Sequence, residues 1–292
     1  MVYSQISVNK RNSVLLFLSF FVVLAVLGYV FGAVLQIGAY VGLLIALVFS
    51  TFSAFFSYFF GDKMVLRVSS AQKITKEQNS MLYNLVEGLS IGAGIPMPKL
   101  YLMNDSSINA FATGRNPKNA SIAVTKGTLM KLNKEELEGV LAHELSHVKN
   151  LDIRFMVLVA VMVGTIVILS DFFLRSFMFT NSGDRGKNTH IILIVIGFVL
   201  AILSPVFTEI IKLAISRKRE YLADASGALL TKNPGGLANA LRKIGNDHNQ
   251  LKTATHATAH LFISNPFKKR NWLSLFDTHP SLDSRVKKLE SM

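Results

Sequence analysis

Residues 13–61 run for 49 positions without an Asp, Glu, Lys or Arg. A bilayer core takes about 20 apolar residues per helix, so this stretch predicts two membrane spans with a turn at Gly32, Gln36 and Gly38. A second uncharged run covers residues 155–170, and Phe172, Phe173, Leu174, Phe177 and Phe179 extend it. It predicts a third span, with Asp171 and Arg175 near an interface where an arginine can snorkel. Residues 188–208 give 21 uncharged positions and a fourth span, with Pro205 near its end where a kink is tolerable. The bland alternative is a set of buried helices in a large soluble domain.

The polar material then falls into two blocks, 62–154 and 213–292, which together make one domain of ordinary size. The boundaries this predicts are a tail over 1–12, a two-span hairpin over 13–61, the first half of the domain over 62–154, a third span over 155–179, a loop over 180–188, a fourth span over 189–212 and the second half of the domain over 213–292. Twelve Lys and Arg residues flank the spans on the side of the termini, against three in the 171–189 loop. Cytoplasmic flanks carry the excess of such residues, so both termini and both polar blocks are expected in the cytoplasm.

Composition agrees. Half the residues are hydrophobic, only 17% are charged and the mean hydropathy is +0.39; a soluble domain carries about 25% charged residues. The 31 Lys and Arg outnumber the 18 Asp and Glu by 13. With the spans placed as above, the Arg217-Lys218-Arg219 and Lys268-Lys269-Arg270 clusters read as contacts to anionic lipid heads, or as plain solvated charge, rather than as a nucleic-acid surface. There is no cysteine, which excludes a disulfide scaffold, a thiol nucleophile, an iron–sulfur cluster and every thiolate zinc site. A metal would have to be held by His, Asp or Glu.

Such a set is present. Asn133 followed by Glu136 three residues on reads as a helix start with a capping box. Leu137, Leu141, Leu145 and Val148 follow at helical spacing as the inward face. Elsewhere on the same helix stand His143-Glu144-Leu145-Ser146-His147, the HExxH pattern of zinc peptidases. Residues four apart share a helix face, so two imidazoles can hold one ion while Glu144 reaches the water beside it. Glu220 and Asp224 are again four apart. Glu220 can complete a His2Glu set with an open fourth position, and Asp224 can accept the outer N–H of a ligand histidine. Taken alone, that segment reads more readily as a surface helix with charge pairs such as Arg217–Glu220. If the helices run straight, His147 and Glu220 each stand about 12 Å from the nearest span, at matching depth. His256 and His260 also lie four apart, but with no acid beside them they read as part of a mobile or substrate-covering tract over 246–271.

These motifs, interleaved with four spans, resemble the HtpX heat-shock membrane zinc metallopeptidases, relatives of the eukaryotic CAAX prenyl proteases. Asn109-Ala110-Phe111-Ala112-Thr113-Gly114 resembles the family's substrate-contacting segment, and Thr278-His279-Pro280 its late histidine motif. The resemblance implies an α-helical integral membrane protein with a cytoplasmic α+β zincin-like (gluzincin) domain and four transmembrane helices. It implies one Zn2+ per chain and a multi-pass protein of the cell (inner) membrane. The implied activity is an endopeptidase that acts on unfolded or misfolded membrane proteins in quality control. Glu144 would be the general base, and His279 would stabilise the oxyanion of the tetrahedral intermediate.

The residues of 120–125 alternate as a short strand closed by Lys126 and Gly127. An exposed edge there, at Ile122, Ala123 and Val124, would pair with an extended peptide, while Asn109 and Ala110 add hydrogen bonds to its backbone. Two other functions compete. A transporter needs ionisable residues inside its spans; His190 and Glu209 stand near the ends of theirs, as Asp171 and Arg175 stand near an interface. A zinc-bearing scaffold or chaperone that binds unfolded segments without cutting them would have no use for Glu144.

Overall fold

The computed structural model describes residues 2–34, 37–162, 164–165, 217–255, 257–266 and 280–292. The fourth predicted span, the loop before it, most of the third span, His256 and His279 lie outside the described residues.

Helices α1 (Val2–Val34) and α2 (Ala39–Val68) form the predicted hairpin. Helix α1 starts at Val2, so the residues expected as a tail are helical. Nothing in 2–12 breaks a helix, and Lys10 and Arg11 are good helix formers. Each helix is long and apolar enough to cross a membrane, over Ser7–Ala33 and Ala39–Val68. Only 17% and 11% of their most apolar windows are buried, whereas a core helix of a soluble protein would be mostly covered. The two helices meet through glycine: a methyl group on Gly42 would collide with the Gly28 carbonyl. On its buried stripe α1 carries Leu16, Phe20 and Leu24, which pack on Phe155, Leu158, Val159 and Met162 of α6 (152–162).

The remaining described residues form an α+β body. Strands β1 (Ala71–Lys73), β2 (Lys99–Met103), β3 (Ala110–Gly114) and β4 (Ala120–Thr125) make one sheet in the order β1-β2-β4-β3. β2 and β4 are parallel, and the other two pairs are antiparallel. β4 is therefore an interior strand. Each of Ile122, Ala123 and Val124 has a partner on both sides, so their backbones have no edge to offer a peptide, contrary to expectation. The edge strands are β1 and β3, and β3 is the one next to β4. Alternation of side chains marks a strand but does not say which neighbours flank it; the parallel crossover from β2 to β4 decides that.

Helices α3 (Ser80–Ala93), α4 (Lys126–Lys131) and α5 (Lys134–Lys149) follow the chain around the sheet. Beyond the undescribed stretch come α7 (Arg217–Thr231), α8 (Pro234–Asn246) and α9 (Leu282–Glu290). Helix α5 runs through the middle of the core. Leu137, Leu141, Leu145 and Val148 are all fully buried, as their spacing predicts. The capping box forms as read: Asn133 Oδ1 accepts from the Glu136 backbone at 2.9 Å and Glu136 Oε2 from the Asn133 backbone at 2.8 Å.

Helix α5 does not run straight on into the third span. It stops at Lys149, Leu151 takes a left-handed φ of 61°, and α6 begins at Asp152. The matching-depth estimate from straight helices therefore does not apply. The bend, rather than helix length, sets how the site stands against the apolar helices.

Candidate metal centre

Helix α5 supplies His143, Glu144 and His147, all buried. Helix α7 packs across it so closely that a Cβ on Gly227 would lie 3.0 Å from the His143 nitrogen. That approach delivers Glu220 and Asp224. His143 Nε2 lies 3.1 Å from His147 Nε2. Glu220 Oε2 is 3.7 Å from the first and Oε1 is 3.6 Å from the second. The three side chains offer ligand atoms all within 4.8 Å of one another. Tetrahedral zinc with bonds near 2.0–2.1 Å separates its ligands by about 3.3 Å, so the set fits one ion after small adjustments.

The outer nitrogens decide what the inner ones can do. His143 Nδ1 lies 2.9 Å from Asp224 Oδ1, and His147 Nδ1 lies 2.9 Å from Asp152 Oδ2. An ionised carboxylate only accepts, so both rings carry their proton on Nδ1. In neutral rings, two lone pairs then face each other at 3.1 Å. A shared cation relieves that repulsion: a proton on His147 in the metal-free protein, or a metal ion in its place. This is the chemistry of the donor set itself.

Electrostatics follow the geometry. Burial pushes the Glu144 carboxyl up, while the neighbouring histidines and the Ala112 backbone N–H pull the other way without cancelling it. Burial alone would lower His147, but its hydrogen bond with Asp152 and the charges of Glu220 and Asp152 push it up to about 9 in the metal-free protein. Burial opposes the ionisation of Asp224 too, yet Arg285 and His143 hold it well below the usual carboxylate range.

Two further charged residues, Arg285 and Asp152, complete the site without belonging to any of its motifs. Arg285 is fully buried and grips Asp224 through Nε at 2.8 Å and Nη2 at 2.6 Å, with Nη1 3.6 Å from Glu220. Its signal is a charge on an apolar stripe: Leu282, Arg285, Val286 and Leu289 share one face of α9. Asp152, fully buried, sits five residues after His147 across the bend, where helical spacing gives no warning.

β3 lines the other side of the site. Phe111 and Thr113 pair toward β4, so the peptide groups of Ala110, Ala112 and Gly114 point outward. The Ala112 N–H reaches the Glu144 carboxylate. The Ala110 carbonyl accepts from the Ile263 backbone at 3.0 Å, and Asn109 Nδ2 donates to the Ser264 carbonyl at 3.3 Å. In this structure Asn109 and Ala110 thus contact the chain's own 263–264 segment. His260 is likewise occupied, its Nε2 lying 2.9 Å from the Met156 carbonyl oxygen.

A family model described as Peptidase family M48 matches residues 76–292. A Protease HtpX homolog of Caldanaerobacter subterraneus subsp. tengcongensis is 43% identical over 295 residues, covering 100% of this chain and 98% of that one. Its counterpart in Dictyoglomus turgidum is 43% identical, covering 99% and 94%. One from Listeria monocytogenes serotype 4a is 38% identical over the whole of both chains. Among solved structures, the crystal structure of S. mikatae Ste24p is similar with a TM-score of 0.45 and 23% identity, over 71% of this chain and 49% of that one.

Proposed function

Since this chain belongs to peptidase family M48 and is a membrane metalloprotease, we propose that it is a zinc endopeptidase that cleaves misfolded or damaged membrane proteins on the cytoplasmic side. The observation that carries the metal reading is the convergence of two imidazole Nε2 atoms and the Glu220 carboxylate, with both Nδ1 atoms already held by Asp152 and Asp224. A zinc ion there would supply Lewis acidity, lowering the pKa of water and polarising a peptide carbonyl.

The chain's own residues do the rest. Glu144 takes the proton from the attacking water and returns it to the leaving amine. Its raised pKa brings it toward the working pH, where a general base is most effective. The outward peptide groups of β3 hold an extended substrate by strand addition. That substrate pairs at Ala112 and Gly114 and replaces Ile263 at Ala110. His279 is assigned to the charge that develops on the carbonyl oxygen. The late histidine motif Thr278-His279-Pro280 supports the assignment.

The cytoplasmic side rests on the Lys and Arg bias. The four-span topology rests on the α1–α2 hairpin together with the apolar runs of 155–170 and 188–208. Single cysteines placed in this cysteine-free chain, probed with a membrane-impermeant thiol reagent, test both.

The decisive test of function is Glu144→Gln. It is expected to keep one zinc per chain and to lose about 10²–10⁴-fold in hydrolysis of an unfolded membrane-protein substrate. Retained hydrolysis would overturn the role of Glu144. Wild-type protein that holds zinc and binds substrate without cutting it would instead make the molecule a scaffold.

A further inference from the structure

We propose that Asn9, near the cytoplasmic end of the first membrane helix, is a positioning residue of the metal centre, holding the carboxylate that orients His147. The inference rests on the zinc reading above and adds to it a residue from the membrane hairpin.

Asn9 is 1% exposed. Its Nδ2 donates to Asp152 Oδ1 at 2.6 Å and to the Asn150 carbonyl at 3.0 Å, across more than 140 residues of sequence. Those two acceptors flank Leu151, the residue whose left-handed φ of 61° makes the bend between α5 and α6. A leucine held there costs free energy and persists only where its surroundings over-determine it. One planar amide spanning both neighbours of the strained residue is such a constraint.

The same amide fixes the plane of the Asp152 carboxylate. Oδ2 faces His147 Nδ1 at 2.9 Å, and Oδ1 faces Asn9 and, at 3.2 Å, Arg219 Nε. A carboxylate bound through one oxygen alone can rotate about its last torsion; bound through both, it presents Oδ2 in one direction. That direction sets the plane of the His147 ring and the aim of Nε2.

The register of α1 is held by Leu16, Phe20 and Leu24 against α6. Asn9 and Ser13 continue this buried stripe toward the N-terminus. An amide at the end of a stripe whose apolar members Leu16, Phe20 and Leu24 face the partner helix is explained by its hydrogen bonds to Asn150 and Asp152.

The test uses full-length protein purified in detergent, with zinc affinity read by chelator competition and site geometry by the visible spectrum of the cobalt-substituted form. Asn9→Leu, with the same branching but without donors, is expected to weaken zinc binding about tenfold and to shift the cobalt bands. Tenfold is the low end of what outer partners of metal ligands contribute. Asn9→Ser, smaller and still able to donate, should fall between, and it serves if the leucine variant does not fold. Leu16→Ala loosens the same helix contact without touching Asp152; it should lower thermal stability and leave zinc affinity within about twofold. Unchanged zinc affinity and cobalt spectrum in both Asn9 variants, or an equal loss in Leu16→Ala, would overturn the inference. Wild-type protein that takes up no zinc would overturn the metal reading and this inference with it, which sets that failure apart from an effect of Asn9 alone.

Discussion

The hairpin and the metal-bearing body place polarity in opposite directions. In α1 and α2, Leu18, Val22, Leu44 and Phe52 are 57–67% exposed, and the contact between the helices is made by glycine. In the body, His143, Asp152, Asp224 and Arg285 are at most 1% exposed, inside a shell of leucines and valines. The first arrangement is stable only where the surroundings are as apolar as the side chains, because burial against lipid replaces burial against protein. The second is stable only because each buried charge has a partner. The two regions meet at the α5–α6 bend, where one side of Asp152 faces His147 and the other an asparagine of the hairpin.

The sharpest way to break the body's arrangement is to remove one charge of a pair. Arg285→Met leaves Asp224 and Glu220 without their buried cation. A loss of about 3–5 kcal/mol is expected in denaturant unfolding of the metal-free protein. A loss under about 1 kcal/mol would mean that Arg285 does not compensate those carboxylates.

The contrast between the two apolar environments is tested by one substitution made twice. Leu141→Ala, in the closed core of α5, should cost about 2–5 kcal/mol. Leu18→Ala, facing outward from α1, should cost under about 1 kcal/mol by thermal shift in detergent, since surface changes rarely exceed that. Equal costs would mean that the outer face of α1 is covered by protein.

The comparison is sharpened further by a pH dependence. His147 is held protonated up to about 9 in the metal-free protein, so zinc must displace that proton. Apparent zinc affinity should fall about tenfold, or about 1.4 kcal/mol, for each pH unit below 9. Competition titrations between pH 6 and 9 check this, and a flat profile would contradict it. Stability of the metal-free fold runs in the opposite sense. Because the folded pKa lies above the ordinary 6.5, that stabilisation is complete below pH 6.5 and is lost as pH rises through 9.

Much of this was readable in advance, for physical reasons. The capping box, the leucine stripe of α5 and the HExxH pair are local: a helix of 3.6 residues per turn determines which of its residues share a face. Glu220 and Asp224 were readable as a pair, though not as partners of particular nitrogens. The interior position of β4 was not readable, because a strand's alternation is the same at an edge and in the middle. Arg285 left a trace as a charge on an apolar stripe. Asp152 left none, because the bend at Leu151 breaks the helical register that would have linked it to His147.

The sequence by itself determined the apolar hairpin, the α5 helix with its two histidines and base, and the family to which the chain belongs, because each of these is written in short-range spacing and hydropathy. Tertiary structure alone decided which carboxylate faces which imidazole nitrogen, that β3 rather than β4 lies at an edge, and that Asn9 of α1 reaches the Asp152 carboxylate behind His147. Those are contacts between distant segments. They depend on how helices cross and where the chain bends, and neither is set by a residue's neighbours in sequence.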